Sequence, residues 1–349
     1  MITDETRALA AVDAALGEHL AERISRASVV GPAYRLLWER IRQACAGGKR
    51  IRPRLLLLAH DALGGDAHGD ALAASVAFEL LHTAFLLHDD VLDGDLVRRG
   101  GPNLQGAFLG DALDAAATAE AATSWGEAAG VLAGDLLISA AHALISGTSA
   151  PVAQSLHALL DECLFTTAAG ELADIGLAMG TVPTSVTAIT RMMQDKTAAY
   201  SFSAPLRAGA LLAGADQDVE SELGEIGAML GFVYQLRDDL LGVFGSPAVL
   251  GKSVDGDLRE GKRTLLIAYA EGSEEWDAVR HLFGRRSLDP DDADRLRAAL
   301  TASGARHRAE LRLSRQCEKT CARIEESGLP ERLRTDLLAL ARRCAERES

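Results

Sequence analysis

An all-α fold is predicted by three features of this 349-residue sequence. Ala, Leu, Glu and Arg dominate it, apolar residues recur at spacings of three and four, and no alternating β-branched run reaches strand length. Glycine and proline pairs then punctuate the chain where one helix must stop and another start.

Taken in order, the periodicity predicts helices over 4–27 and 31–46, the second ended by Gly47-Gly48. A helix over 52–63 stops at Gly64-Gly65, and one over 71–95 stops before Gly100-Gly101-Pro102. Segment 104–126 (LQGAFLGDALDAAATAEAATSWG) is rich in small residues and is expected to be a mobile surface connection. Helices follow over 127–147, 151–180 (opened by Pro151), 184–214 (after Pro183) and 217–245, ended by Gly245-Ser246-Pro247. The last set is 257–272, 275–284, 290–304, 306–326 and, after Gly328-Leu329, 330–346. No fixed-period repeat and no linker divides the chain, so residues 1–349 are expected to form one helical bundle around a central cavity.

Composition narrows the function classes. With 48% hydrophobic and 25% charged residues the chain is globular rather than disordered. No stretch approaches eighteen uninterrupted apolar residues, and acids run through the first thirty, which predicts a cytoplasmic protein without membrane span, signal or transit peptide. A net charge of −14 disfavours nucleic acid as a partner. The five cysteines are odd in number and scattered; Cys317 and Cys321 lie one turn apart without a second Cys/His pair, so reduced thiols are expected. Only five of the 36 basic residues are lysine: Lys49, Lys196, Lys252, Lys262 and Lys319. Arginine is the generic surface cation here, and a retained lysine marks a place that needs a compact point charge.

The strongest local signal is the run Leu80–Pro102. Asp89, Asp90, Asp93 and Asp95 fall within seven residues at the end of an apolar helix, with Asp89 and Asp93 on one face and His82 and Phe85 below them. Like charges so close repel, and a hard divalent cation such as Mg²⁺ resolves that repulsion while leaving room for phosphate oxygens. Asp238 and Asp239 repeat the pattern inside a second apolar helix, where unpaired carboxylates are costly. Cations complete the set: Lys49, Arg50 and Arg52 on a glycine turn at a helix start, Arg98 and Arg99 after the first acidic run, Lys196, and Lys252 with Lys262. Gly245–Ser253 imitates a nucleotide-binding phosphate loop, but its glycines are one residue too far apart and it follows a helix.

Together, Gly47-Gly-Lys-Arg-Ile-Arg-Pro53, His88-Asp-Asp-Val-Leu-Asp93 with Arg98-Arg-Gly-Gly-Pro102, Lys196-Thr197, Gln235-Leu-Arg-Asp-Asp239 and Gly251-Lys with Asp257-Leu-Arg-Glu-Gly-Lys262 resemble trans-isoprenyl diphosphate synthases, the polyprenyl synthetase family. The resemblance spans about residues 47–267, in the family's order. It implies an all-helical homodimer that condenses isopentenyl diphosphate with an allylic diphosphate, two Asp-rich helices holding about three Mg²⁺ ions. It implies Asp89, Asp93 and Asp238 as metal ligands supported by Asp90 and Asp239. Arg98, Lys196 and Lys252 are expected on the allylic diphosphate, and Lys49, Arg52, His82 and Arg99 on isopentenyl diphosphate. Thr197 and Gln235 are expected to face the allylic cation.

Two departures stand out. Gly242 replaces the family's third aspartate, and Glu171 replaces a glutamine. Leu81, Ala84 and Phe85 are expected to floor the hydrocarbon pocket; one aromatic beside a small residue favours a twenty-carbon, geranylgeranyl product over a farnesyl or longer one. A noncatalytic partner subunit is the alternative of another class, and the intact Asp89, Asp90 and Asp93 argue against it.

Overall fold

The computed structural model describes residues 2–245 and 254–347, in two compact units. The expected helical architecture is present throughout them. Lys252 and most of the imitation phosphate loop lie outside the described residues.

The first unit comprises Met1–Leu160 and Ala208–Ala215. It holds α1 (Ile2–Val30), α2 (Pro32–Cys45), α3 (Ile51–Ala62), α4 (His68–Asp93), α5 (Leu104–Asp114), α6 (Ala119–Ser146) and the start of α7 (Ala150–Ala178). Pro32 opens α2 at its first turn, where the missing N–H costs nothing. Helix α4 is the unit's centre: Phe78, Leu80, Leu81, Ala84 and Leu87 are all buried. It packs most extensively against α6, and small residues let the two axes approach. A Cβ on Gly134 would lie 2.1 Å from the His88 ring, so no larger residue fits.

Segment 104–126 corrects the expectation of a mobile connection. Leu104–Asp114 is a helix, capped by Asn103, whose Oδ1 accepts from the Gly106 amide at 2.8 Å. It buries Leu104, Gln105 and Phe108, and Phe108 meets Trp125 edge-on at 5.9 Å. Thr118 then caps α6, which starts eight residues earlier than expected. Alanine-rich composition suggested looseness, but alanine is the best helix former and its small side chain permits close packing.

The expected absence of strands fails once, in a two-residue ribbon pairing Val97–Arg98 with Gly101–Pro102. Arg99 (φ +54) and Gly100 (φ +78) give both turn residues positive φ, the hairpin geometry that matches strand twist.

The second unit comprises Asp161–Arg207 and Asp216–Ser349. Its α8 (Val186–Met193), a π-helical segment (Gln194–Ser203) and the start of α9 (Ala204–Leu212, whose residues from Ala208 belong to the first unit) occupy the single helix expected over 184–214. Helix α10 (Gln217–Phe244) is capped by Asp216 and buries Leu230, Phe232, Val233 and Leu236. The helix expected over 257–272 is broken into α11 (Gly256–Glu260) and α12 (Leu265–Ala270), because Gly261 adopts a left-handed φ of +75. Then come α13 (Glu274–Val279), α14 (Pro290–Ala302), α15 (Ala305–Glu325) and α16 (Glu331–Glu346).

Candidate active site

In the first unit the acids cluster at the C-terminal end of α4. Asp89 and Asp93 are half-buried, one turn apart, on the face that carries Phe85 and His82. Asp90 points elsewhere: it is 2% exposed and receives Arg98 through Nε at 2.9 Å and Nη2 at 2.5 Å. Burial raises the Asp90 pKa, and the Arg98 guanidinium opposes that shift. Arg98 also stands 3.7 Å from Asp89. Asp90 thus aims a cation at the edge of the Asp89 carboxylate.

The glycine turn is held by its own arginines. Arg50 sits in the left-handed region (φ +48), a conformation costly for a residue with a Cβ. Its guanidinium repays this by bonding the buried Glu79 at 2.6 Å, Asp13 at 2.8 Å and the Cys45 carbonyl at 3.0 Å. Arg99 donates to the Ala46 carbonyl at 2.5 Å and lies along Gly47 and Gly48. Lys49 remains on the surface, whereas Arg52 is 8% exposed. His82 has a pKa well below its ordinary value, chiefly from burial and then from Arg52, Arg98, Arg99 and Arg50. These guanidinium groups all oppose a positive charge on the imidazole. Of the residues expected to floor the hydrocarbon pocket, Leu81 and Ala84 are fully buried and Phe85 is half-buried.

In the second unit, Lys196 and Thr197 lie on the π-helical segment. The wider turn re-aims side chains relative to an α-helix and is a frequent feature of functional sites. Gly170 of α7 lets the two helices touch: a Cβ there would lie 2.2 Å from the Lys196 amide nitrogen. Lys196 Nζ bonds Glu171 at 3.0 Å and Asp174 at 2.7 Å. The unexpected charge of Glu171 is thereby explained as half of a two-carboxylate cradle for this lysine.

On α10, Asp238 is half-exposed and pairs with Arg347 at 2.6 Å, and that guanidinium stacks 3.9 Å above Tyr234. Asp239 is 7% exposed and accepts from Gln235 Nε2 at 2.8 Å. That bond orients the amide, turning the Gln235 carbonyl oxygen away from Asp239. Burial raises the Asp239 pKa well above the carboxylate range, and Asp257, Asp238 and Asp174 push it the same way. A carboxyl with a raised folded-state pKa stabilises most when protonated, and this contribution is lost as pH rises through that pKa. Asp239→Asn, which keeps the Gln235 acceptor, is therefore expected to raise stability by about 1–2 kcal/mol at neutral pH. Denaturant titrations should show the gain shrinking towards acid pH.

Asp257, quoted within a motif, was given no role from the sequence. A Cβ on Gly242 would sit 2.2 Å from Asp257 Oδ2, so the carboxylate of α11 occupies the space above the missing third aspartate. The available signal was the coincidence of Gly242 with an extra acid in Asp255-Gly-Asp257. Lys262 pairs with Glu260 at 2.9 Å.

Carboxylate oxygens are the donor set of a hard cation; in the acidic run of α4 Asp89 and Asp93 keep exposure, and in that of α10 Asp238 does. On each helix such oxygens suit Mg²⁺, while Asp90 and Asp239 are buried.

The polyprenyl synthetase family model matches residues 35–300. A geranylfarnesyl diphosphate synthase of Aeropyrum pernix is 36% identical over 273 residues, covering 76% of this chain and 80% of that protein. A geranylgeranyl diphosphate synthase of Mycobacterium tuberculosis is 33% identical over 320 residues, covering 89% and 84%. Among solved structures, geranylgeranyl pyrophosphate synthase of Corynebacterium glutamicum, in complex with isoprenyl diphosphate and magnesium, superposes with a TM-score of 0.87 at 30% identity. That match covers 96% of this chain and 98% of the other.

Proposed function

Because the chain belongs to the polyprenyl synthetase family, and is a transferase, we propose that it condenses isopentenyl diphosphate with an allylic diphosphate to give geranylgeranyl diphosphate and pyrophosphate. The observation that carries this reading is the set of Arg50, Arg52, Arg98 and Arg99 guanidinium groups acting on His82, which lies two turns before Asp89 on α4. An acid face for metal beside a basic anion site is what a diphosphate substrate requires.

Asp89 and Asp93 of the first unit, and Asp238 of the second, are the residues that would hold Mg²⁺, about three ions in all as the family resemblance implies. When bound, Mg²⁺ would supply charge neutralisation for a departing pyrophosphate. Arg98 of the first unit and Lys196 of the second are each assigned to the allylic diphosphate, as is Lys252 by motif. Lys49, Arg52, Arg99 and His82 hold isopentenyl diphosphate; a neutral His82 donates one hydrogen bond without adding charge. The Gln235 carbonyl and the Thr197 hydroxyl present negative dipole ends to the allylic cation, in surroundings of buried apolar side chains that exclude water.

Phe85 sets product length in this account. Phe85→Ala is expected to shift the main product beyond twenty carbons, read by chromatography of the dephosphorylated alcohols. An unchanged product would remove Phe85 from that role.

The protein acts as a cytoplasmic homodimer through α6. This helix is apolar enough by length and composition to cross a bilayer, as is α4, but α4 is 67% buried over its apolar window and α6 only 44%. Trp125, Val131 and Leu132 are 47%, 44% and 55% exposed. An apolar helix left uncovered marks a protein interface. Leu132→Glu should weaken self-association by about 2 kcal/mol, roughly 30-fold, in analytical ultracentrifugation.

A further inference from the structure

Among the described residues, one group of three potential metal ligands converges, and it lies apart from every residue assigned above: His60, Asp61 and His68. They sit at the elbow where α3 ends and α4 begins, across the Gly64-Gly65 turn. Their donor atoms all lie within 4.8 Å of one another.

His60 is fully buried, and its ring is locked in place by Gly65, at which a Cβ would fall 2.3 Å from Nε2. Packed against that backbone, Nε2 has no hydrogen-bond partner, and Nδ1 is directed to Asp61 Oδ1 at 2.9 Å. The His68 ring stands edge-on, 5.4 Å from the His60 ring centre. With either tautomer Nε2 goes unsatisfied, so giving the Nδ1 lone pair to a cation costs nothing further there. The buried imidazole is a fixed ligand, and the exposed Asp61 and His68 are ligands that adjust to it.

From this juxtaposition we propose that His60, Asp61 and His68 form a binding site for a borderline transition-metal dication such as Zn²⁺, clamping α3 to the start of α4. Two imidazoles and one carboxylate suit Zn²⁺, with water completing the tetrahedron, whereas Mg²⁺ demands an oxygen shell. The two metals are thereby sorted by hardness. The hard ion goes to the carboxylates at the C-terminal end of α4 and the softer one to the imidazoles at its N-terminal end. A bound ion ties down the first turn of the helix that further along carries Glu79, His82 and Asp89.

The test uses the full chain, freed of metal by chelation and titrated with Co²⁺, whose visible absorption reports tetrahedral nitrogen and oxygen coordination. The wild type is expected to bind about one ion tightly enough to be displaced by Zn²⁺ and not by excess Mg²⁺. His68→Ala and Asp61→Asn, both at exposed positions, should each weaken binding by about tenfold or more with helicity unchanged. Zn²⁺ should raise the Tm of the wild type and not of His68→Ala. His157→Ala, which removes the other close imidazole pair (His142 with His157, ring centres 5.6 Å apart), should leave the titration unaltered. Absence of the absorption bands, equal binding by wild type and His68→Ala, or loss of binding in His157→Ala would each overturn the proposal.

Discussion

Asp89→Ala is expected to lower kcat by about 10³-fold or more at any Mg²⁺ concentration, with helicity and Tm close to wild type. Asp89 is half-buried at the C-terminal end of α4, so its side chain makes little of the core, and removing it leaves Phe78, Leu80 and Leu87 packed as before. The loss is expected to fall on catalysis because pyrophosphate leaves only if its charge is met as it develops. Asp90 is not a substitute. It is committed to Arg98 through two hydrogen bonds to one oxygen, and its burial favours the protonated form. Single-turnover kinetics with circular dichroism on the same samples checks both halves of the expectation.

Lys196→Ala is expected to cost about 10²–10³-fold in kcat/KM for the allylic substrate. The lysine is placed by three features at once: the π-helical turn that carries it, the close approach at Gly170 and the cradle of Glu171 and Asp174. Removing it also leaves two half-buried carboxylates without their cation, so Tm should fall as well. Glu171→Gln separates the contributions. The neutral amide still accepts from Lys196 and Asp174 still pairs with it, so activity should stay within about threefold of wild type and Tm should hold. A Glu171→Gln enzyme as impaired as Lys196→Ala would show that the charge of Glu171, not its hold on the lysine, is what matters.

The architecture was legible because each helix obeys its local rules: Pro32 opens α2, Asp216 caps α10, and apolar residues repeat at helical spacing. The acidic runs stood out in the sequence because charge inside an apolar helix has few structural uses. What was not legible depends on contacts between distant residues. The π-helical turn around Lys196 has no sequence mark, since its ten residues have ordinary helical composition. The 104–126 segment was misread because small residues signal both looseness and tight packing, and only the partner decides; here Phe108 against Trp125 decides it. The carboxylate of Asp257 above Gly242, and the pairing of Asp238 with Arg347, join residues 15 and 109 positions apart. The split between α11 and α12 follows from a single left-handed residue, Gly261.

The most direct measurement is product analysis. Purified protein, Mg²⁺ and isopentenyl diphosphate are combined in turn with dimethylallyl, geranyl and farnesyl diphosphate, and the dephosphorylated products are sized by chromatography. The account predicts elongation of all three starters to a twenty-carbon alcohol, with one pyrophosphate released per bond formed. Pyrophosphate released without isopentenyl diphosphate, or substrate binding with no elongation at all, would contradict it.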